Sequence, residues 1–336
     1  MASKKNICVF HPNLRKMLSI TKCAIKPKGR QYESNHGHKS AIIPRRDWSA
    51  GMKISFLGIG LMGAPMARRL AAVHDVAVWN RSPKKANALG DVCAVAATPQ
   101  AAVTGADCVI MMLMDGIATR AVLDNSTMAA IGHGGLIIDM GSVDPDTDRH
   151  LALQALRHGL DYLDAPVSGG VAGAKAGSLA ILVGGSEATF ARAGPVFDVL
   201  GRAKLLGGLG AGQVAKLANQ LIVATTIGAV AEAMKLAEAG GCDPAALRNA
   251  LRGGFADSRI LDLHGLRMIE GNFTPGGRSV AQLKDLDNAI ALAHANSLSL
   301  PLSEAITAGF RDFVEIHKGG EKDHSAYYEW LDLRQN

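Results

Sequence analysis

The chain has 336 residues, of which 48% are hydrophobic and 20% are charged, the proportions of a soluble globular protein. Its length supplies enough material for one large core or for two domains. The five cysteines form neither a C-x-x-C pair nor the spacing of a metal site, so we expect free thiols in a reducing compartment.

The net charge of +6 first suggests a nucleic-acid partner, but the charge is unevenly distributed. Residues 1–51 contain 11 Lys or Arg and 2 acidic residues, a net charge of +9. The remainder contains 25 basic and 28 acidic residues, a net charge of −3. Because the folded body is mildly acidic, we expect no nucleic-acid partner.

Residues 1–51 have scattered Gly and Pro and no sustained apolar periodicity, which predicts a poorly ordered extension. A weak apolar stripe beside basic residues, with few acids, is similar to an organellar transit peptide. The alternative is an extension without a function, since Met52 would open the fold equally well. We favour that alternative and therefore a cytoplasmic protein.

A dinucleotide-binding motif follows the first predicted strand, residues 53–57. Gly58 allows a tight turn, Gly60 lets a pyrophosphate approach the backbone, and Gly63 lets the next helix pack closely on the strand. The positive end of that helix suits the phosphates. The order of strand, glycine loop and helix predicts a Rossmann domain. The predicted cofactor loop comprises Gly58, Gly60, Leu61, Met62 and Gly63.

The second predicted strand, residues 75–79, ends at Asn80, Arg81 and Ser82. An NAD-preferring site places an acidic residue about twenty residues past the glycines, where it binds the ribose 2′-hydroxyl. Here that position holds Asn80 and Arg81. Because an arginine suits a 2′-phosphate, we expect NADP, with NAD as the alternative cofactor. The competing interpretation is an arginine in an ordinary turn.

Two further strands, residues 107–113 and 136–139, are continuous apolar runs of the kind that buried parallel strands show. Ligands of open α/β sheets lie at the carboxyl ends of the strands. We therefore expect Leu113 and Met114, at the end of the first run, and Ser142, after the second, to face the cofactor.

A fifth strand, residues 161–167, opens into Ser168, Gly169 and Gly170. A hydroxyl followed by two glycines offers unobstructed backbone N–H groups, a suitable cradle for a small anion such as a carboxylate. Taken alone, the same tripeptide is also common as a flexible turn.

Residues 213–238 contain no Pro and no adjacent Gly pair, which predicts one helix of roughly seven turns. Its surface is largely apolar, so we expect burial on several sides. Lys216 is out of place there, because lysine is rarely buried without a partner or a purpose. Asn219 and Gln220 lie on the same face, three and four residues further on.

The rest of the chain has only helical patterns. Helices are predicted at 244–252, 258–270, 280–296, 302–317 and 325–333. The predicted fold is α/β, a Rossmann dinucleotide-binding domain followed by an all-α domain and joined to it by the long helix. The predicted boundaries are 1–51 for the extension, 52–210 for the Rossmann domain and 211–336 for the helical substrate and oligomerisation domain.

From Met52 onward the chain resembles the β-hydroxyacid dehydrogenase family, which includes 3-hydroxyisobutyrate dehydrogenase and tartronate semialdehyde reductase. The matching segments, in the family's order, are GIGLMGAPMARRL at 58–70, DAPVSGGVAGAKAGSLAILVGG at 164–185, GAGQVAKLANQ at 210–220 and KDLDNAI at 284–290. The form KLANQ at 216–220 is most similar to the tartronate semialdehyde branch, since the 3-hydroxyisobutyrate branch more often has two asparagines there.

The resemblance implies a role for individual residues. It implies that Ser168, Gly169 and Gly170 hold the substrate carboxylate and that Lys216 is catalytic. The family's amide falls on Gln220, with Asn219 one place earlier, and either could contact the substrate. Two further residues match positions that approach the cofactor, Ser142 and Lys284.

The resemblance implies NAD(P)H-dependent reduction of a small carboxylate-bearing semialdehyde to its hydroxy acid, with tartronate semialdehyde to D-glycerate preferred. The alternatives within the family are 3-hydroxyisobutyrate dehydrogenase and glyoxylate or succinic semialdehyde reductase. An imine reductase and a catalytically silent dinucleotide-binding scaffold are disfavoured, because such relatives lack the lysine.

We expect a homodimer or homotetramer, since the family is usually oligomeric. No membrane segment is expected, because Lys216, Glu232 and Lys235 interrupt the longest apolar run. No metal site is expected either. Asp323 and His324 precede a predicted helix, where they are most simply interpreted as a cap. The resemblance places this segment near the cleft, so a minor role in the substrate pocket is the alternative.

Overall fold

The computed structural model describes residues 51–334. The basic extension predicted for residues 1–51 lies outside the described residues but for its last residue, and so do Cys8 and Cys23. The remaining cysteines, which are free thiols as expected, are Cys93, Cys108 and Cys242.

The first half of the described chain alternates strands and helices. The strands are β1 (Lys53–Leu57), β2 (Asp75–Trp79), β3 (Ala94–Val95), β4 (Cys108–Met111), β5 (Leu136–Asp139), β6 (Asp161–Asp164), β7 (Val167–Ser168), β8 (Leu179–Gly184) and β9 (Gly201–Gly207). The helices are α1 (Gly63–Leu70), α2 (Pro83–Asn87), α3 (Pro99–Val103), α4 (Gly116–Val122), α5 (Asn125–Ile131), α6 (Pro145–Arg157), α7 (Gly170–Ala176), α8 (Glu187–Arg192) and α9 (Gly194–Leu200).

Within residues 51–334 these strands form one sheet in the order β3-β2-β1-β4-β5-β6-β8-β7, with β9 beside β8. The strands from β3 to β6 are parallel, whereas β8 is antiparallel to β6 and β7. Alternate side chains enter two cores: Ile110 and Ile138 on one face, Val109 and Ile137 on the other. Helices cover both faces, which is why these strands are apolar throughout.

In the sheet, β2 and β3 lie on one side of β1, whereas β4, β5 and β6 follow on its other side. The direction in which successive strands are added therefore changes at β1. Open α/β sheets bind their ligands at such a point, beyond the carboxyl ends of the strands. The glycine loop between β1 and α1 lies at this point, so the sheet topology places the predicted cofactor loop where a dinucleotide site is expected.

The second half of the described chain is helical, as predicted. Its helices are α10 (Ala211–Ala239), α11 (Pro244–Leu251), α12 (Arg259–Glu270), α13 (Ser279–Ala295), α14 (Pro301–Arg311) and α15 (Tyr327–Leu333). Three short turns accompany them, a π-helical turn at Asp312–Ile316 and 3₁₀ turns at Gly319–Glu321 and His324–Ala326. The helix predicted for 302–317 is therefore present, but its last turn, Asp312–Ile316, is π-helical rather than α-helical.

The helical half has its own apolar core, in which Met234 of α10 packs with Leu286, Phe310, Tyr327 and Trp330. Tilted aromatic rings pack α14 against α15, with 4.7 Å between the ring centroids of Phe310 and Tyr327. The rings of Tyr327 and Trp330, both in α15, also lie 4.7 Å apart. This core is separate from the two cores of the sheet. The fold is thus a Rossmann-like domain followed by an all-α domain.

The long helix α10 is less buried than expected. Ile222 and Leu236 are 68% and 76% exposed, so the predicted burial on several sides is wrong for the outer face. Contrary to the expectation above, α10 also has the length and apolar composition of a membrane span. Here its inner side packs against β8 and then against α12 and α13, the position of a core helix.

Candidate active site

The glycine loop has a backbone that only glycine adopts easily. Gly58 has φ +107°, and a Cβ there would lie 2.4 Å from the carbonyl oxygen of Met112. Gly60 has no atom within 4 Å of the position of a Cβ, so its surface is open to a ligand. Gly63 begins α1, with Leu61 and Met62 completing the loop. The loop therefore fits a pyrophosphate at the start of α1.

The turn after β2 braces this loop. The side-chain oxygen of Asn80 accepts a hydrogen bond from the backbone N–H of Ile59 at 2.9 Å, and its amide nitrogen donates to the carbonyl oxygen of Ser82 at 3.1 Å. Asn80 thus supports the glycine loop, a role that sequence reasoning did not assign to it. Arg81 and Ser82 are exposed beside it, at the end of β2.

Lys284 of α13 joins the two loops that follow β4 and β5. Its Nζ donates to the carbonyl oxygen of Met114 at 3.0 Å and to that of Ser142. Met114 is exposed, whereas Leu113 and Ser142 are half-buried. The predicted cofactor residues of these loops are therefore held together by a lysine from the helical domain.

The Ser168 turn has the geometry that an anion cradle needs. Gly169 has φ +136°, and a Cβ there would come within 3.2 Å of the Leu179 side chain. Gly170 begins α7 and is exposed, with nothing within 4 Å of the position of a Cβ. The hydroxyl of Ser168 donates to the side-chain oxygen of Asn219 at 3.4 Å. The cradle thus faces α10.

The start of α10 is fixed to the sheet by Asp164 at the end of β6. One carboxylate oxygen accepts from the N–H of Gly210 at 2.8 Å and the other from the N–H of Gln213 at 2.9 Å. A Cβ at Gly212 would lie 2.3 Å from the carbonyl oxygen of Leu182, so the helix touches β8 directly. This anchoring sets the position of Lys216, one turn further along.

Gln220 is the centre of a hydrogen-bond network. Its Oε1 accepts from Lys216 Nζ at 3.0 Å and from Asn219 Nδ2 at 2.9 Å. Its Nε2 donates to Asp285 Oδ2 at 2.8 Å and to Gln282 Oε1 at 3.3 Å. Both ends of the amide are therefore occupied, whereas within residues 51–334 the oxygen of Asn219 accepts only the hydrogen bond from Ser168. The predicted residues Lys216, Asn219, Gln220 and Ser168 lie together.

Asp285 connects this network to the cofactor side. Its Oδ1 accepts from the hydroxyl of Ser142 at 2.8 Å and lies 3.0 Å from Lys284 Nζ. Burial lowers the pKa of Lys216, while the carboxylate of Asp285 raises it and the charge of Lys284 lowers it further. The lysine is therefore shifted toward the range in which it can exchange a proton.

Sequence reasoning missed Asp285 and Gln282, although the quoted KDLDNAI segment contains the first of them. It also missed Gln213, which is fully buried. Gln213 accepts from the N–H of Val143 at 3.1 Å and donates to the carbonyl oxygen of Gly141 and to Asp148, at 2.9 and 2.8 Å. It ties α10 to the Ser142 loop. Nothing in a glutamine on an apolar helix indicates such a partner.

A group of buried acids lies behind this contact. Burial raises the pKa of Asp139 to about 6 and raises that of Asp148 well above its ordinary value. Asp148 accepts hydrogen bonds from the hydroxyl of Tyr162 at 2.6 Å and from Gln213. These acids lie in the protein interior, behind the loop that follows β5.

One cluster in the described part of the chain has metal-like geometry: the ligand atoms of His264, Asp323 and His324 lie within 4.8 Å of one another. Asp323, however, already accepts hydrogen bonds from three backbone N–H groups and the hydroxyl of Ser325. Arg267 lies 3.3 Å from it. The carboxylate is thus neutralised within the protein, and its cap of the 3₁₀ turn at His324–Ala326 agrees with the predicted cap.

Comparison with known proteins assigns both halves of the chain. Residues 53–210 match the NAD binding domain of 6-phosphogluconate dehydrogenase, and residues 210–331 match the domain described as NAD-binding of NADP-dependent 3-hydroxyisobutyrate dehydrogenase. The 2-hydroxy-3-oxopropionate reductase of Escherichia coli is 41% identical over 289 residues, 85% of this chain and 99% of that protein.

Two further relatives carry the second activity named in the family. The 3-hydroxyisobutyrate dehydrogenase of Pseudomonas aeruginosa is 35% identical over 81% of this chain and 94% of that protein. The solved structure of the Mycobacterium tuberculosis 3-hydroxyisobutyrate dehydrogenase with L-serine matches with a TM-score of 0.77 and 32% identity, covering 84% of this chain and 99% of that one. The chain belongs to the β-hydroxyacid dehydrogenase family of NAD(P)-dependent oxidoreductases.

Proposed function

We propose that this enzyme reduces tartronate semialdehyde to D-glycerate. The observation that carries the proposal is the convergence of Lys216, Asn219 and the Ser168 turn, which offers a proton donor beside an anion cradle. The identity of 41% to the Escherichia coli 2-hydroxy-3-oxopropionate reductase supports this substrate.

In this proposal the Ser168, Gly169 and Gly170 turn binds the substrate carboxylate through its hydroxyl and backbone N–H groups. A small anion held there brings the aldehyde oxygen to Lys216. As an ammonium, Lys216 polarises the carbonyl and donates a proton to the oxygen; in the reverse direction the neutral amine accepts it. The nicotinamide cofactor supplies the hydride when bound.

The two amides of α10 take different roles in this proposal. Asn219 contacts the substrate, because its oxygen lies beside Ser168 and is only weakly engaged. Gln220 orients the lysine, because four neighbours already occupy its amide. The departure from asparagine at Gln220 thus extends the amide toward Asp285 and Gln282.

We propose NADPH as the preferred cofactor. The support is Arg81, exposed at the end of β2 where the ribose lies in Rossmann sites, and the lack of an acidic residue at that strand end. Leu61, Met62, Ser82, Leu113 and Met114 are proposed to line the dinucleotide cleft, with Ser142 and Lys284 near the nicotinamide. NAD is the alternative cofactor.

The proposed function is tested with a panel of small oxo acids and semialdehydes, each assayed with NADPH and NADH. The panel holds tartronate semialdehyde, 2-methyl-3-oxopropanoate, succinic semialdehyde and glyoxylate. The highest kcat/KM is expected for tartronate semialdehyde with NADPH. A higher kcat/KM for 2-methyl-3-oxopropanoate, or for 3-hydroxyisobutyrate in the reverse direction, would favour the activity of the Pseudomonas aeruginosa relative instead. No turnover of any compound would favour a silent scaffold.

We further propose a homodimer or homotetramer, for which the exposed apolar side chains of α10 provide a surface. Ile222 and Leu236 are the largest of them. Light scattering coupled to size exclusion measures the mass directly, and Ile222→Glu is expected to lower it. A monomeric native protein would contradict the proposed homodimer or homotetramer.

Cytoplasmic localisation is proposed as well, and a fluorescent fusion to residues 1–51 tests it.

A further inference from the structure

The side chain of Gln213 contacts a single segment of the sheet domain, the one that leads from β5 into α6. Its Oε1 accepts from the N–H of Val143 at 3.1 Å. Its Nε2 donates to the carbonyl oxygen of Gly141 at 2.9 Å and to Asp148 Oδ2 at 2.8 Å. Because Gln213 is fully buried, these hydrogen bonds are shielded from solvent. They fix the loop on both sides of Ser142.

The backbone of Gln213 is fixed as well. Its N–H donates to Asp164 Oδ2 at 2.9 Å, at the end of β6. Residue 213 therefore joins α10 to the carboxyl ends of two neighbouring strands, β5 and β6. Lys216 follows three residues later, about 4.5 Å further along the helix axis. Since the two residues lie within one turn of a regular helix, the contacts of Gln213 determine where the backbone of Lys216 lies relative to the Ser142 loop.

A closed circuit of contacts connects Lys216 to this loop. From Lys216 Nζ, hydrogen bonds lead through Gln220 to Asp285, and Asp285 accepts from the hydroxyl of Ser142. The contacts of Gln213 close the circuit, because they lead from the Ser142 loop back to α10. The first connection passes through two half-exposed or mobile bonds of long side chains, Lys216 and Gln220, whereas the second passes through one buried side chain. The second is therefore the more rigid link.

We propose that Gln213 is a positioning residue of the reduction and sets the distance between Lys216 and the Ser142 loop. The inference rests on the proposed function, in which Lys216 donates the proton and this loop lies near the nicotinamide. Reduction transfers a hydride from the reduced cofactor to the aldehyde carbon and a proton from Lys216 Nζ to the aldehyde oxygen. Both donors must therefore reach one carbonyl group, and a displacement of about 1 Å can lower such a rate by about 100-fold.

Two substitutions separate positioning from stability. Gln213→Met is similar in length and volume but removes all three side-chain hydrogen bonds. Tyr162→Phe is the matched control, because it removes a buried hydrogen bond of 2.6 Å to the same carboxyl group, at Asp148 Oδ1, and leaves the contacts of Gln213 in place. Each variant is measured for Tm, cofactor affinity, substrate KM and single-turnover rate, with the semialdehyde acid that the native protein reduces fastest.

Both variants should have a lower Tm, since each leaves a buried polar group without a partner. In Gln213→Met the single-turnover rate should fall by about 100-fold. The substrate KM should stay near the native value, because Gln213 does not contact the Ser168 turn. Tyr162→Phe should react at the native rate. A near-native rate in Gln213→Met, or an equal loss of rate in Tyr162→Phe, would show that Gln213 serves stability alone and would overturn the proposal.

Gln213→Glu is a conservative variant that keeps the proposal testable if Gln213→Met fails to fold. Its carboxyl group still accepts from the N–H of Val143 but donates to the carbonyl oxygen of Gly141 only while it is protonated. Burial and the neighbouring acids should raise the pKa of this carboxyl group, whereas the charge of Lys284 opposes them. The neighbouring acids are Asp139, Asp148 and Asp164.

The single-turnover rate of Gln213→Glu, divided by the native rate, should therefore be highest at acid pH and fall as the pH rises through the pKa of the introduced carboxyl group. A quotient that does not change with pH would contradict the positioning role. Failure of the proposed function is recognised separately. A native protein that reduces no semialdehyde acid, or near-native turnover in Lys216→Ala, would refute that function, and the role of Gln213 would fail with it.

Discussion

The cofactor loop and the Lys216 network are built in opposite ways. The loop is local: Gly58, Gly60 and Gly63 lie within six residues, and what they provide is backbone without side chains. The network joins side chains from β7, α10 and α13, and Ser142 and Asp285 are separated by 143 residues. A local backbone site is readable from spacing, whereas a site of side chains from distant elements depends on how the domains pack.

The largest effect is expected at the centre of the network. Lys216→Ala removes the proposed proton donor and should lower kcat roughly 1,000-fold, within the range for general acid catalysis, while the cofactor still binds. Single-turnover assays and cofactor titration measure the two quantities. Lys204→Ala, at an exposed position of β9, is the matched control and should be near native. Near-native turnover in Lys216→Ala would remove the lysine from the mechanism.

The loop can be broken in two distinguishable ways. Gly58→Ala forces a Cβ to within 2.4 Å of a backbone oxygen at φ +107°, so both thermal stability and cofactor affinity should fall. Gly60→Ala meets no atom within 4 Å, so its Tm should be native while cofactor affinity falls, by about 100-fold if the methyl meets the pyrophosphate. Calorimetry and titration test the pair. Equal Tm losses would contradict it.

The proposed cofactor preference rests on Arg81, an exposed side chain that belongs to neither the glycine loop nor the Lys216 network. Arg81→Asp should lower kcat/KM with NADPH by roughly 10-fold or more and raise it with NADH, because the carboxylate repels a 2′-phosphate and accepts from a 2′-hydroxyl. Steady-state kinetics with both cofactors provide the measurement. Equal efficiency of the native protein with the two cofactors would contradict the NADP assignment.

The smallest effect is expected where the network meets the cofactor side. Asp285 raises the pKa of Lys216 against the larger effect of burial. Without that charge, in Asp285→Asn, the pKa should fall further, so the ammonium is lost at a lower pH. The alkaline decline of kcat/KM for reduction should therefore begin at lower pH, with a loss of about 10-fold or less near neutrality. An unchanged pH profile would separate Asp285 from the lysine.

The strands of the Rossmann half were predictable because burial on both faces of a parallel sheet leaves uniformly apolar runs. The glycine loop was predictable because a positive φ and close backbone contact permit few residues other than glycine. The helical domain was predictable as helices, but the burial of α10 was not, since an apolar composition does not state which neighbours cover it. The same composition left Ile222 exposed.

The sequence by itself determined the Rossmann and helical pattern, the glycine loop, and Lys216 as an unusual residue on an apolar helix. Only the tertiary structure decided that Gln220 is hydrogen-bonded to four neighbouring side chains and that Asp285 links it to Ser142. The physical reason is that spacing fixes the backbone within a few residues, whereas hydrogen bonds between distant side chains exist only once the domains have packed together.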